Sequence, residues 1–122
     1  MAGSTAQRLA ACQRRYRELA AQLADVGYIA AGSITRRHTR CANQNCRCHG
    51  DPPQMHGPYW QWTTKVEGKT VTRRLSQAEA ELYQEWIDND RQLRAITAQM
   101  REVAAEAADL IMKASTRKPT QV

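Results

Sequence analysis

A chain of 122 residues with no Phe and only 6% aromatic residues holds at most one compact domain and lacks the groups for a broad core. No apolar run approaches a bilayer span, and Arg8, Arg14, Arg15 and Arg17 break up any secretory leader, so a cytoplasmic chain is expected. The net charge is +6, and its position is informative: from Ser33 to Leu75, eight Lys or Arg stand against Asp51 and Glu67, so the middle third carries the whole excess.

Residues 1–30 predict an N-terminal helix. Leu9, Cys12, Tyr16, Leu19, Leu23 and Val26 recur at spacings of three and four, a single apolar stripe that Gly27 would stop. The stripe reads as packing surface, with Cys12 a small buried hydrophobe. Residues 31–75 predict a β-containing head. Tyr59 to Val66 and Lys69 to Leu75 are rich in Thr, Val and aromatic residues and meet at Glu67-Gly68, the pattern of a β-hairpin. A two-residue loop sets Val66 opposite Lys69. Trp60, Trp62, Thr64, Val66, Val71 and Leu75 then share the core face, and Gln61, Thr63, Lys65, Thr70, Thr72 and Arg74 the other. Ser33 to Arg40 offers a third strand.

Residues 76–115 predict one long helix. Ser76-Gln77-Ala78-Glu79 matches a capping box, in which Ser and Glu satisfy free backbone donors of the first turn. Leu82, Trp86, Asn89, Leu93, Ile96, Met100, Val103, Ala107 and Leu110 then form a coiled-coil-like heptad seam, about 55–60 Å long at the α-helical rise. Asn89 is a lone polar residue on it, of the kind that fixes register or oligomer state. The N-terminal helix is too short to cover this seam, so a homodimer or a larger protein partner is expected through residues 82–110. Residues 116–122 are expected to form a disordered tail.

The densest chemistry lies in Cys41-Ala-Asn-Gln-Asn-Cys46-Arg47-Cys48-His49-Gly-Asp-Pro-Pro-Gln-Met-His56. In a reducing compartment such cysteines serve as thiols or metal ligands rather than disulfides. Cys41, Cys46 and Cys48 follow C-x4-C-x-C in a loop rich in Gly and Pro, and zinc takes four tetrahedral N or S ligands. His49 and His56 are the candidates for the fourth. His56 is favoured because a seven-residue loop lets it fold back, whereas His49 is tied to its neighbour Cys48. Four protein ligands would make Zn2+ structural, and no Glu in the loop supplies a general base. Phosphate-binding loops and nucleophile elbows are also missing, so no enzymatic activity is expected. The fold class is α+β and mostly helical: an N-terminal helix, a small zinc-stapled β-hairpin or three-stranded sheet, and the long C-terminal helix.

The chain resembles a family of small, largely uncharacterised bacterial proteins. The resemblance rests on Gly32-Ser33-Ile34, the C-x4-C-x-C cluster with Asn45-Cys46-Arg47-Cys48, the His56-Gly57-Pro58-Tyr59 block and Gly68-Lys69-Thr70-Val71, and it runs from about Ala31 to Met100. Relatives often accompany mobile elements or transposase-like genes. The resemblance implies no settled activity; it supports the boundaries above and His56 as the fourth ligand, although Gln44 stands where a proline is expected.

Charge and fold together point to a nucleic-acid-binding accessory protein, possessing a sheet that can enter a groove of DNA or RNA. Arg36, Arg37, Arg40, Arg47, Lys65, Lys69, Arg73 and Arg74 are the phosphate-contacting candidates, and Gln61, Thr63 and Thr72 are candidate base readers. The alternative is an adaptor that docks through its long helix on a larger partner and has no direct nucleic-acid role.

Overall fold

The structure, a computed structural model, describes residues 3–116. The elements are α1 (Thr5–Leu23), β1 (Ser33–Thr39), a 3-10 turn (Arg47–His49), β2 (His56–Val66), β3 (Lys69–Leu75) and α2 (Gln77–Thr116). The strands form one antiparallel sheet in the order β1-β2-β3, so the fold is α+β with an N-terminal helix, a three-stranded sheet and a long C-terminal helix. The expected tail begins inside α2, which runs to Thr116; residues 117–122 lie outside the described residues.

Two compact units divide the chain, one comprising residues 1–27 with 91–122 and the other residues 28–90. In the first, α1 packs on the distal part of α2. Its start has a capping signal that the apolar stripe did not reveal: the Ser4 hydroxyl accepts from the Gln7 N–H, and the Gln7 side chain accepts from the Ser4 N–H. Cys12 and Leu19 are buried on this stripe, and Ile96 and Leu110 on α2. Arg15 donates to Gln99 Oε1 at 3.0 Å, while Glu106 lies beside Cys12, so the two helices run antiparallel. Burial and the Glu106 carboxylate both push the Cys12 thiol up, which keeps it protonated and inert. α1 ends at Leu23 rather than Val26. The N–H groups of Ala24, Asp25 and Val26 fall back to carbonyls three residues earlier, so the helix tightens and unwinds before Gly27 is reached.

In the second unit, the hairpin register follows from its turn. Glu67 and Gly68 both have positive φ, 52° and 80°, as a two-residue type I′ turn requires, and Val66 pairs with Lys69 as expected. Counting back gives Thr64 opposite Val71, Trp62 opposite Arg73 and Trp60 opposite Leu75. This face meets the start of α2. Leu75, Ala80 and Ile87 are buried, and the Trp62 ring lies 4.8 Å from Tyr83, which in turn lies 5.0 Å from Trp86. The segment before β1 closes over the same helix: Trp62 Nε1 donates to the Ala31 carbonyl, the Ala30 N–H to the Trp86 carbonyl, and Asn89 to the Tyr28 carbonyl at 2.8 Å.

These contacts change the reading of the seam. In its opening turns Tyr83 packs on Trp62 of this chain's own sheet, Trp86 meets Tyr83 and Tyr28, and Ile87 is buried, whereas Leu82 is 49% exposed. Asn89 is likewise occupied within the chain, where it satisfies a backbone carbonyl. The length of α2 alone therefore does not demand a partner.

A candidate metal centre beside a basic sheet face

The loop between β1 and β2 is ordered by its own backbone. The N–H of Cys46 donates to the Asn43 carbonyl, that of His49 to Cys46, and those of Gly50 and Gln54 both to Arg47. Asn43 also accepts from the Asn45 N–H through its side chain, an Asx-type turn that compacts the four residues between the first two cysteines. The 3-10 turn then starts from Cys46 as its N-cap and carries Cys48, which is completely buried.

These turns bring Cys41, Cys46, Cys48 and His56 together, with one ligand atom of each within 4.8 Å of every other. Cys41 Sγ lies 3.6 Å from Cys48 Sγ, and Cys46 Sγ lies 3.2 Å from His56 Nε2. Tetrahedral zinc with bonds of about 2.3 Å to sulfur sets its ligands about 3.8 Å apart, so this donor set fits such an ion with little movement. The backbone N–H of Cys41 also points at Cys48 Sγ, 3.4 Å away. The Cys46 thiol is lowered to about 6, first by the backbone N–H of Cys48 and then by the thiols of Cys48 and Cys41.

His49 does not join the cluster. Its Nε2 is 2.6 Å from the Cys41 carbonyl oxygen, so it ties the loop together by donating a hydrogen bond. His56 reaches the site through an irregularity in the sheet. Arg37 pairs with Tyr59 and Thr39 with His56, so two steps on β1 face three on β2. The extra residue is a bulge at Gly57-Pro58, and it moves His56 out of the alternation that Tyr59 and Trp60 would impose. Gly57 is required there: its φ is 117°, and a Cβ would come within 2.7 Å of the Arg37 carbonyl. The Tyr59 hydroxyl, donating to Thr39 Oγ1 at 2.8 Å, ties the two strands beside the bulge.

The basic candidates separate by position. Arg37, Lys65 and Arg74 share one sheet face with Gln61, Thr63 and Thr72, the face opposite Trp62 and Leu75. The three basic residues and Thr72 are exposed, and Gln61 and Thr63 half-buried. Arg36, Lys69 and Arg73 belong to the other face by register. Arg73 is engaged there, 3.8 Å from Glu79 and donating to the Tyr83 hydroxyl. Arg40 and Arg47 are exposed in and beside the metal loop. The sequence did not single out Tyr59, whose ring lies 4.0 Å under the Arg74 guanidinium; a Tyr directly after Gly-Pro was the available signal.

A model of the domain of unknown function DUF6788 matches residues 9–84. The chain belongs to the DUF6788 family. The match begins earlier than the resemblance read from the motifs, within α1, and ends in the opening turns of α2. It thus takes in all four clustered Cys and His residues and the whole sheet, and leaves out the distal part of α2. No curated protein and no solved structure matches the chain. Among the described residues, no helix is long and apolar enough to cross a membrane.

Proposed function

We propose that this DUF6788 protein is a cytoplasmic, non-catalytic nucleic-acid-binding accessory protein whose Cys41, Cys46, Cys48 and His56 hold a structural Zn2+. One observation carries the reading. The sheet face turned away from α2 collects Arg37, Lys65 and Arg74 among Gln61, Thr63 and Thr72, and it has no acidic residue. Such a face matches a polyanion: cationic groups meet phosphates, and short polar side chains between them reach base edges. The metal acts as a clamp. It fixes both the end of β1, through Cys41, and the start of β2, through His56, and thereby holds the face rigid.

The test is binding of a fluorescent duplex at several salt concentrations. The proposal requires affinity that falls with added salt, with a log–log slope of about −0.9 for each phosphate neutralised. Absence of binding at low salt would overturn it. Loss of the slope by about one unit in each of Arg37→Gln, Lys65→Gln and Arg74→Gln would map the face.

A second reading has its own observation. On the first unit, Leu9, Tyr16 and Ala20 of α1 and Val103, Ala107 and Ile111 of α2 line a mostly apolar groove, and Tyr16 and Ile111 are 40% and 47% exposed. This favours a homodimer or adaptor contact through the distal part of α2, beside a recombinase-like partner of a mobile element. Sedimentation of the isolated chain distinguishes a dimer from a monomer awaiting its partner.

A further inference from the structure

At the end of the β2–β3 ladder, where Trp60 pairs with Leu75 and the chain turns into α2, lies a groove of about 650 Å³. That is within the range of roughly 300–1,000 Å³ occupied by ligand clefts. Because it lies where the sheet runs out, it draws on both faces: Arg36 and Trp60 from one, Tyr59 and Arg74 from the other. Ser76 and Gln77, at the start of α2, complete the rim. No carboxylate lines it.

We propose that this groove binds a short segment of single-stranded nucleic acid, its successive phosphates meeting Arg36 on one face and Arg74 on the other and a base stacked in the groove. The inference rests on the nucleic-acid reading above and narrows it to unpaired strands. Two features distinguish the groove from the flat face. Arg74 lies over the Tyr59 ring at 4.0 Å, so its planar guanidinium is backed on one side and leaves the other for a flat partner. Trp60 is half-buried in the same groove and supplies an aromatic surface whose position is fixed by the ladder. Bases stack on exactly these two kinds of plane, aromatic rings and Arg guanidinium groups, when they are free of a duplex. A base inside a double helix cannot enter. An acidic peptide would meet the arginines but, unlike a polynucleotide, does not carry a flat ring at every charged unit.

The experiment compares three labelled probes on the intact protein by fluorescence anisotropy: decathymidylate, an abasic strand of ten phosphates, and a ten-base-pair duplex. Wild type is expected to bind decathymidylate about tenfold more tightly than the abasic strand, the effect of one or two stacked bases. Trp60→Leu removes that preference. Arg36→Gln/Arg74→Gln, both at exposed positions, lowers decathymidylate affinity more than duplex affinity, whereas the charge-matched Lys65→Gln/Lys69→Gln lowers the two alike. Equal wild-type affinity for decathymidylate and the abasic strand overturns the groove while leaving duplex binding, and the broader reading, intact. Failure of wild type to bind all three probes overturns both. Should Trp60→Leu not fold, as judged by circular dichroism, the wild-type probe comparison and the arginine pair still decide the outcome.

Discussion

Two histidines in one loop carry out different work, and the difference is geometric. His56 offers Nε2 to the sulfur cluster, while His49 offers its ring N–H to the carbonyl of Cys41. Native mass spectrometry after zinc loading is therefore expected to find one ion on His49→Gln and weakened or no retention on His56→Ala or Cys48→Ala. Gly57→Ala belongs with the second group. A Cβ there strains a left-handed backbone and collides with the Arg37 carbonyl, which displaces the neighbouring His56, so metal affinity should fall without loss of any ligand. The C-x4-C-x-C spacing and the seven-residue gap made the four clustered residues legible in the sequence. The task of His49 was not, because spacing reports reach and not which atom a ring nitrogen will find once the 3-10 turn has formed.

At the level of elements, the turns and caps were the most legible features. Glu67-Gly68 set the register of the whole hairpin, and Ser76 with Glu79 marked the start of α2: the Ser76 N–H donates to Glu79 Oε1 at 2.9 Å, and the Glu79 N–H to Ser76 Oγ at 3.1 Å. Ser76→Ala should cost about 1 kcal/mol in urea unfolding, the usual effect of a lost N-cap. Hydrogen bonds from the Ser76 backbone and hydroxyl, with Arg73 nearby, hold the Glu79 carboxyl below its usual range. A carboxylate whose folded pKa is depressed stabilises the fold above its unfolded pKa, and that contribution disappears as pH falls through the folded value. Acidification below the ordinary carboxylate range should thus narrow the stability difference between wild type and Glu79→Gln. Glu67 is the one residue in the hairpin turn whose side chain disfavours its positive φ, and Glu67→Asn should raise the urea midpoint. The bulge at Gly57-Pro58 and the extension of β2 back to His56 were not legible. Gly-Pro reads as a loop, and only pairing with Thr39 makes it part of a strand.

For the whole molecule, heptad spacing showed that α2 has an apolar side but not what covers it. The sheet covers the opening turns and α1 packs on the distal ones, a division that depends on a hairpin and a helix separated by many residues of chain. It also predicts an uneven response to metal removal. Cys41, Cys46, Cys48 and His56 all lie in residues 28–90, and none in the helical unit. Chelation should abolish hydrogen-exchange protection around β1 and the start of β2 while most of the helical circular dichroism survives. Complete loss of that helical signal would show the two units to be one cooperative whole. The same division gives the chain an optical asymmetry. Trp60, Trp62 and Trp86, all three of its tryptophans, fall within residues 28–90. Intrinsic indole emission is therefore a native reporter of the sheet-bearing unit alone, and its unfolding can be followed in the unlabelled, unmutated protein against the helical signal of the whole chain.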